Sequence, residues 1–92
     1  MDAVPVPGEV LAVPERVIVA PAVGVFRPLA ETDLERTEAG ELILAGQAIG
    51  VVEGPGSSTP VRSPFGGFLV GMLAHRGERV REGQPVAWLR LA

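Results

Sequence analysis

Along most of this chain the apolar residues come in short β-branched runs broken by Pro and Gly, without the three-to-four spacing of an amphipathic helix. Residues 16–20 (RVIVA) read as one strand, and Pro21 with Gly24 turn it into a second at 23–27. Strands resume at 41–44 and 47–53 around Ala45 and Gly46, then at 59–62, 68–74, 79–81 and 85–91, which makes eight. The fold class expected is all-β. Val17, Val19, Val25, Phe26, Leu42, Leu44, Val51, Val61, Leu69, Val80, Val86 and Trp88 are the candidate core.

Turn residues recur in register. Pro21 and Gly24 match Pro64 and Gly67 at an offset of 43, while Gly40, Glu41, Gly46 and Gln47 match Gly77, Glu78, Gly83 and Gln84 at 37. Each half then reads strand, P-x-x-G, strand, loop, G-E-x-x-x-x-G-Q, strand. Two such halves bury their apolar faces most simply against each other across a pseudo-twofold axis. The expected architecture is a flattened barrel or sandwich of two quasi-symmetric four-stranded halves. Glycines at matched positions are expected to hold positive φ.

Two stretches leave the pattern. Residues 1–15 carry Pro5, Pro7 and Pro14, which withhold three backbone donors and suit an extended arm or edge strand. The drop in offset from 43 to 37 places six extra residues in the first half, on the acidic segment 28–39 with Glu31, Asp33, Glu35 and Glu38. A charge run of this kind reads first as a solvated loop and second as a protruding contact element. The domain proper is expected over 16–92.

Composition narrows the function. The 92 residues carry a net charge of −3, and the eight basic residues are all Arg, scattered among eleven acids. No basic stripe follows from this distribution, so nucleic acid is not an expected partner. Absence of cysteine removes thiolate and disulfide chemistry. An early Asp2 without a basic leader, and no apolar run of membrane length, make a soluble cytoplasmic protein with no membrane partner the expectation. His75 is the single histidine and falls in a turn, and the acids between Glu31 and Glu41 lack the regular spacing and glycine of a calcium loop. Arg76, Arg79 and Arg81 read as a mixed-charge surface with Glu78 and Glu82. No acid, base and nucleophile constellation emerges, so the chain is not expected to be an enzyme or to hold a metal or cofactor.

The centre of the repeat is a β-hairpin, QAIGVVEGPGSSTPVRSPFGG, whose tip is read as Gly54, Pro55, Gly56, Ser57 and Ser58. Pro55 and Gly56 suit the central positions of a type II turn, so the tip reads either as a simple connector or as a loop open to a partner.

In order and spacing, APAVG at 20–24, GELILAGQAIGVVE at 40–53, VRSPFGG at 61–67 and GERVREGQPVAWL at 77–89 resemble the biotinyl and lipoyl carrier domains, most closely the biotin carboxyl carrier domain of acetyl-CoA carboxylase. The resemblance covers about residues 16–91 and implies a biotinyl/lipoyl-like barrel. It also implies an acceptor lysine at the hairpin tip, three places after an acidic residue matched here by Glu53. That position is Gly56, with Pro55 and Ser57 where the biotinyl motif has methionines, and the chain contains no lysine. Amide attachment needs a primary amine, and a hydroxyl at Ser57, Ser58 or Thr59 without a base is a weak substitute. The acidic insertion falls where the acetyl-CoA carboxylase members carry a protruding thumb.

The resemblance therefore implies a non-catalytic, unmodified carrier-like domain, a binding or assembly module for biotin-dependent carboxylase subunits or a related carrier. Candidate partner contacts are Gly54, Pro55, Gly56, Ser57 and Ser58 on the hairpin and Glu31, Asp33 and Glu35 on the insertion. The alternatives are a lipoyl-like domain of a transport adaptor, in which the two halves flank a long helical hairpin, and a relic scaffold without a carrier role.

Overall fold

A computed structural model describes residues 14–29 and 40–91. The N-terminal arm up to residue 13, and the insertion contacts Glu31, Asp33 and Glu35, lie outside the described residues.

Eight strands form: β1 (Glu15–Val19), β2 (Gly24–Pro28), β3 (Leu42–Ile43), β4 (Ala48–Gly54), β5 (Ser57–Arg62), β6 (Gly67–Met72), β7 (Arg79–Val80) and β8 (Pro85–Leu91). They pair antiparallel in two four-stranded sheets, ordered β1-β8-β6-β3 and β5-β4-β2-β7. The sheets pack face to face as a flattened sandwich. The expected barrel does not close.

Renumbering each strand of the first sheet by four gives the second sheet, so the sequence repeat is a structural one. Its form differs from one sheet per half: each sheet takes two strands from each half of the chain. The twofold relation extends to individual hydrogen bonds. Gly46 N donates to Ser63 O at 2.7 Å and Gly83 N to Ala20 O at 2.8 Å. Leu69 N donates to Glu41 O and Phe26 N to Glu78 O, both at 2.9 Å. The Gln47 side chain accepts from Leu44 N at 2.9 Å, and that of Gln84 from Arg81 N at 3.0 Å. Gly46 and Gly83 both sit at φ 86°, a conformation costly for residues with a Cβ, and Gly40 and Gly77 are likewise positive. The G-E-x-x-x-x-G-Q pattern thus carries two positive-φ glycines and one glutamine cap in each half.

One pair of irregularities also repeats. The β4–β5 ladder shifts register between Ala48 and Gly50, and β1–β8 between Ile18 and Val19, opposite Ala87 and Pro85. The extra residues are Ile49 and Val86, 37 apart and both fully buried.

The core consists of Ile18, Ala20, Phe26, Ile43, Ile49, Val52, Val61, Leu69, Ala74, Val80, Val86, Ala87 and Leu89. Phe26, Val61, Leu69, Val80 and Val86 were expected there. Val17, Val19, Leu42, Leu44 and Trp88 instead face outward, and Val25 and Val51 are half-buried. These runs are apolar on both faces, so alternation alone does not say which face is inside, and a slip of one residue exchanges the two.

Ser63 is the one fully buried polar side chain among the described residues. Its hydroxyl donates to Phe65 O at 2.5 Å and accepts from Phe65 N at 3.3 Å, a local bond that turns the chain out of β5 at Pro64.

The two halves fill equivalent volume differently. A Cβ on Gly50 would lie 2.7 Å from Arg27 O and 2.8 Å from the Phe26 ring, so the adjacent backbone and the aromatic ring together require the glycine. At the matching positions of the other half stand Leu69 and Ala87, a smaller side chain beside a larger neighbour. Gly50→Ala is accordingly expected to destabilise by about 1–3 kcal/mol through overpacking. Adding Phe26→Leu should cost less than the sum of the two single changes, read as a favourable coupling in a double-mutant cycle by chemical denaturation.

Candidate functional site

Strands β4 and β5 form a continuous hairpin whose last pair is Gly54 with Ser57, leaving Pro55 and Gly56 as the turn. Two-residue hairpins usually take primed turns, which need positive φ at the first central residue. Pro55 cannot supply it, because its ring fixes φ near −65°. Gly56 takes φ 70° instead, the pattern of a type II turn. The tip is therefore shorter than expected: Gly54, Ser57 and Ser58 are strand residues, and Pro55 and Gly56 alone project beyond the ladder. Nothing lies within 4 Å of a Cβ built on Gly56, so this position opens to solvent.

Two contacts hold the base of the tip. Gly54 lies against the bend that precedes β2, where a Cβ would approach Val23 O at 3.5 Å and the Ser57 hydroxyl at 3.2 Å. Arg27 Nε meets Glu53 Oε1 at 2.7 Å across the β2–β4 ladder. Both side chains are more than a third exposed, so the pair fixes direction more than it adds stability. Arg27 and Arg79 lie on β2 and β7 of the same sheet, and Arg62 on β5 donates to Gly46 O at 2.9 Å.

The hairpin assembles no catalytic constellation. Ser57 and Ser58 are exposed hydroxyls, and Thr59 stands opposite Val52 in the ladder. His75 is exposed in its turn, where its backbone N–H donates to Glu78 Oε1 at 2.9 Å. The Gln84 amide also donates to Glu78, at 3.1 Å, so Glu78 serves as a turn cap. Of the expected arginine cluster, Arg79 is in β7 while Arg81 follows the end of that strand, and both are exposed. Among the described residues no three His, Cys, Asp or Glu side chains gather as a metal site, and no helix long and apolar enough to cross a membrane is present.

A second surface feature escaped the sequence reading. The outer face of the β1-β8-β6-β3 sheet carries Val17, Val19, Trp88, Phe68 and Leu42, all exposed and read above, apart from Phe68, as core. A signal for it exists in the repeat. Leu42 matches Arg79, Leu44 matches Arg81 and Val19 matches Arg62, so these positions accept either polarity and must face out. Core positions such as Ile43 with Val80 and Val52 with Leu89 are apolar in both halves, the exception being Ala20 with the buried Ser63.

In comparisons with known proteins, the chain matches no protein-family model and no curated protein in sequence.

Gly56→Ala is expected to cost about 1 kcal/mol, from left-handed strain alone, since the site is sterically open. Glu53→Gln should cost less than about 1 kcal/mol, with the difference shrinking as salt is added. Urea titrations of both variants at low and high salt check these values.

Proposed function

We propose that this chain is a non-catalytic relative of the biotin carboxyl carrier domain that cannot be biotinylated or lipoylated and serves as a protein-binding or assembly module in a biotin-dependent carboxylase system. The observation that supports this most directly is the hairpin tip. Gly56 stands open at the position that the resemblance gives to the acceptor lysine, on a two-residue turn, in a chain with no lysine. The turn is open at that position and the reactive amine is missing. Recognition of the protein surface around the hairpin is the role that survives such a replacement, because docking needs the scaffold and only ligation needs the amine.

The matched turns lend further support, since the strings that carry the resemblance are the same ones that build the twofold hydrogen bonds. In this reading the exposed pair Arg27 and Glu53, together with Pro55 and Gly56, forms the contact surface. The direct connection of β4 to β5 by two residues gives no place for a helical hairpin between the halves, so the carrier-subunit reading is preferred to the transport-adaptor one.

A biotin protein ligase and a purified biotin carboxylase subunit test the proposal. The unmodified chain, immobilised, is expected to bind at least one of them saturably, and intact mass spectrometry of chain isolated from cells should match the unmodified sequence. A triple variant with Pro55→Met, Gly56→Lys and Ser57→Met should gain one biotin in the presence of ligase and ATP, after a stability loss of about 1–2 kcal/mol from the left-handed lysine. Failure of a folded triple variant to accept biotin, with no binding of either protein by the original chain, would rule the proposal out.

A further inference from the structure

The outer face of the β1-β8-β6-β3 sheet is built differently from its symmetry mate. Across one row Glu15 pairs with Arg90, Arg90 with Phe68, and Phe68 with Leu42; across the next, Val17 pairs with Trp88 and Trp88 with Gly71. Gly71 has neither a positive φ nor any atom within 4 Å of a built Cβ, so neither backbone conformation nor packing among the described residues requires a glycine there. Its effect is to leave the strand beside Trp88 bare. The β6–β8 ladder also shifts register at this point, between Leu69 and Gly71, whereas the matching β2–β4 ladder runs without a break. Bulges of this kind redirect side chains at functional surfaces. Next to the bulge, Phe68, Val70, Arg90 and Gly40 line an open groove of about 310 Å³.

Trp88 remains 37% exposed although its indole N–H is already bound to Glu15 Oε1 at 3.2 Å. What the indole still offers is its apolar ring, next to the side chain of Val17. Arg90 at the edge of the groove is paired with Glu15 at 3.4 Å, so what this face presents is the Phe68 and Trp88 rings. Exposed aromatic rings are the kind of surface that receives proline-rich extended chain.

Such a chain exists within the protein. The segment before Pro14 reads MDAVPVPGEVLAV, with alternating Val and Pro at 4–7, two acids and no base. It joins the sheet at the edge strand β1, where Leu91 N donates to Pro14 O at 2.8 Å, beside Arg90. Crossing from β1 to β3 takes three inter-strand steps, about 14 Å. Five extended residues span about 16 Å, so residues 9–13 suffice for one pass over the face and 4–7 for a return, with Gly8 at the turn. A second copy of the sheet fits less well: a face of about 14 by 17 Å buries on the order of 500 Å² in total between two copies, below the roughly 1,200 Å² of a stable interface.

We propose that the N-terminal arm folds back over this face, with its Val4-Pro5-Val6-Pro7 stretch against Trp88 and Phe68. Proline lowers the entropy lost on docking, and the covalent link supplies a high effective concentration. The arm is then an internal ligand of the sheet and shields its apolar rings from other chains. This holds whether or not the hairpin recognises a carboxylase subunit.

The chain has one tryptophan and no tyrosine or cysteine, so its fluorescence reports on this face alone and one introduced cysteine takes a label at one place. A nitroxide is attached to the full chain through Ala3→Cys. Emission of Trp88 is expected to rise at least about twofold when ascorbate reduces the nitroxide, equally at high and low protein concentration, as an intramolecular contact requires. Val4→Asp with Val6→Asp should abolish that rise, and the same label at Arg79→Cys, on the other sheet, should give little. The proposal fails if reduction leaves emission unchanged, or if the Arg79 label quenches as strongly. It fails equally if quenching fades on dilution and is reproduced in trans by labelled chain carrying Trp88→Phe, which would assign the face to a second copy.

Discussion

The reciprocal exchange of strands between the two halves is the constraint on which the structure depends. β2 and β4 from the first half sit at the centre of one sheet, and β6 and β8 from the second at the centre of the other, while each half sends its remaining two strands across. Neither half can complete a sheet without the other. Burial of the core and closure of the ladders are therefore one event, which favours all-or-none unfolding. Most ladder pairings join residues far apart in the chain, as Glu15 with Arg90 does, and nonlocal pairing of that kind slows folding relative to local hairpins.

Exchange constrains the interior and leaves the exterior free. Apart from Ser63, the mate of Ala20, inward positions keep matched apolar character, down to the compensated volumes of Phe26 with Gly50 and Leu69 with Ala87. Outward positions carry no such requirement, and there the two sheets have diverged. One exposes Arg27, Arg62 and Arg79; the other exposes Val17, Phe68 and Trp88. On the second sheet these aromatic and aliphatic side chains lie side by side in register across the strands.

Much of this was legible in the sequence, because turns are chemically explicit. Pro21 and Pro64, Gly46 and Gly83, Gln47 and Gln84 each appear where backbone geometry allows few other residues, and they gave the strand count, the order and the twofold relation. The facing of strands was less legible. In a run such as RVIVA both faces are apolar, and only the tertiary arrangement decides that Ile18 is buried while Val17 and Val19 are not. The hairpin tip was placed correctly at Pro55 and Gly56 but drawn too long, since a serine opposite a glycine gives no local sign of ladder pairing. The interweaving of the halves into shared sheets carried no local signature, because strand partners across a sheet are chosen by packing rather than by neighbours in the chain.

The twofold relation also assigns a counterpart to the hairpin tip. β4 and β5 are joined there by Pro55 and Gly56; their symmetry mates, β8 and β1, are paired just as closely, with Leu91 hydrogen-bonded to Pro14, yet no covalent link connects them. One pair is joined by a turn and its mate is not. The twofold relation is therefore continuous in the chain at one of these two pairs and carried by hydrogen bonds alone at the other, which makes Pro55 and Gly56 the single covalent bridge between the two halves.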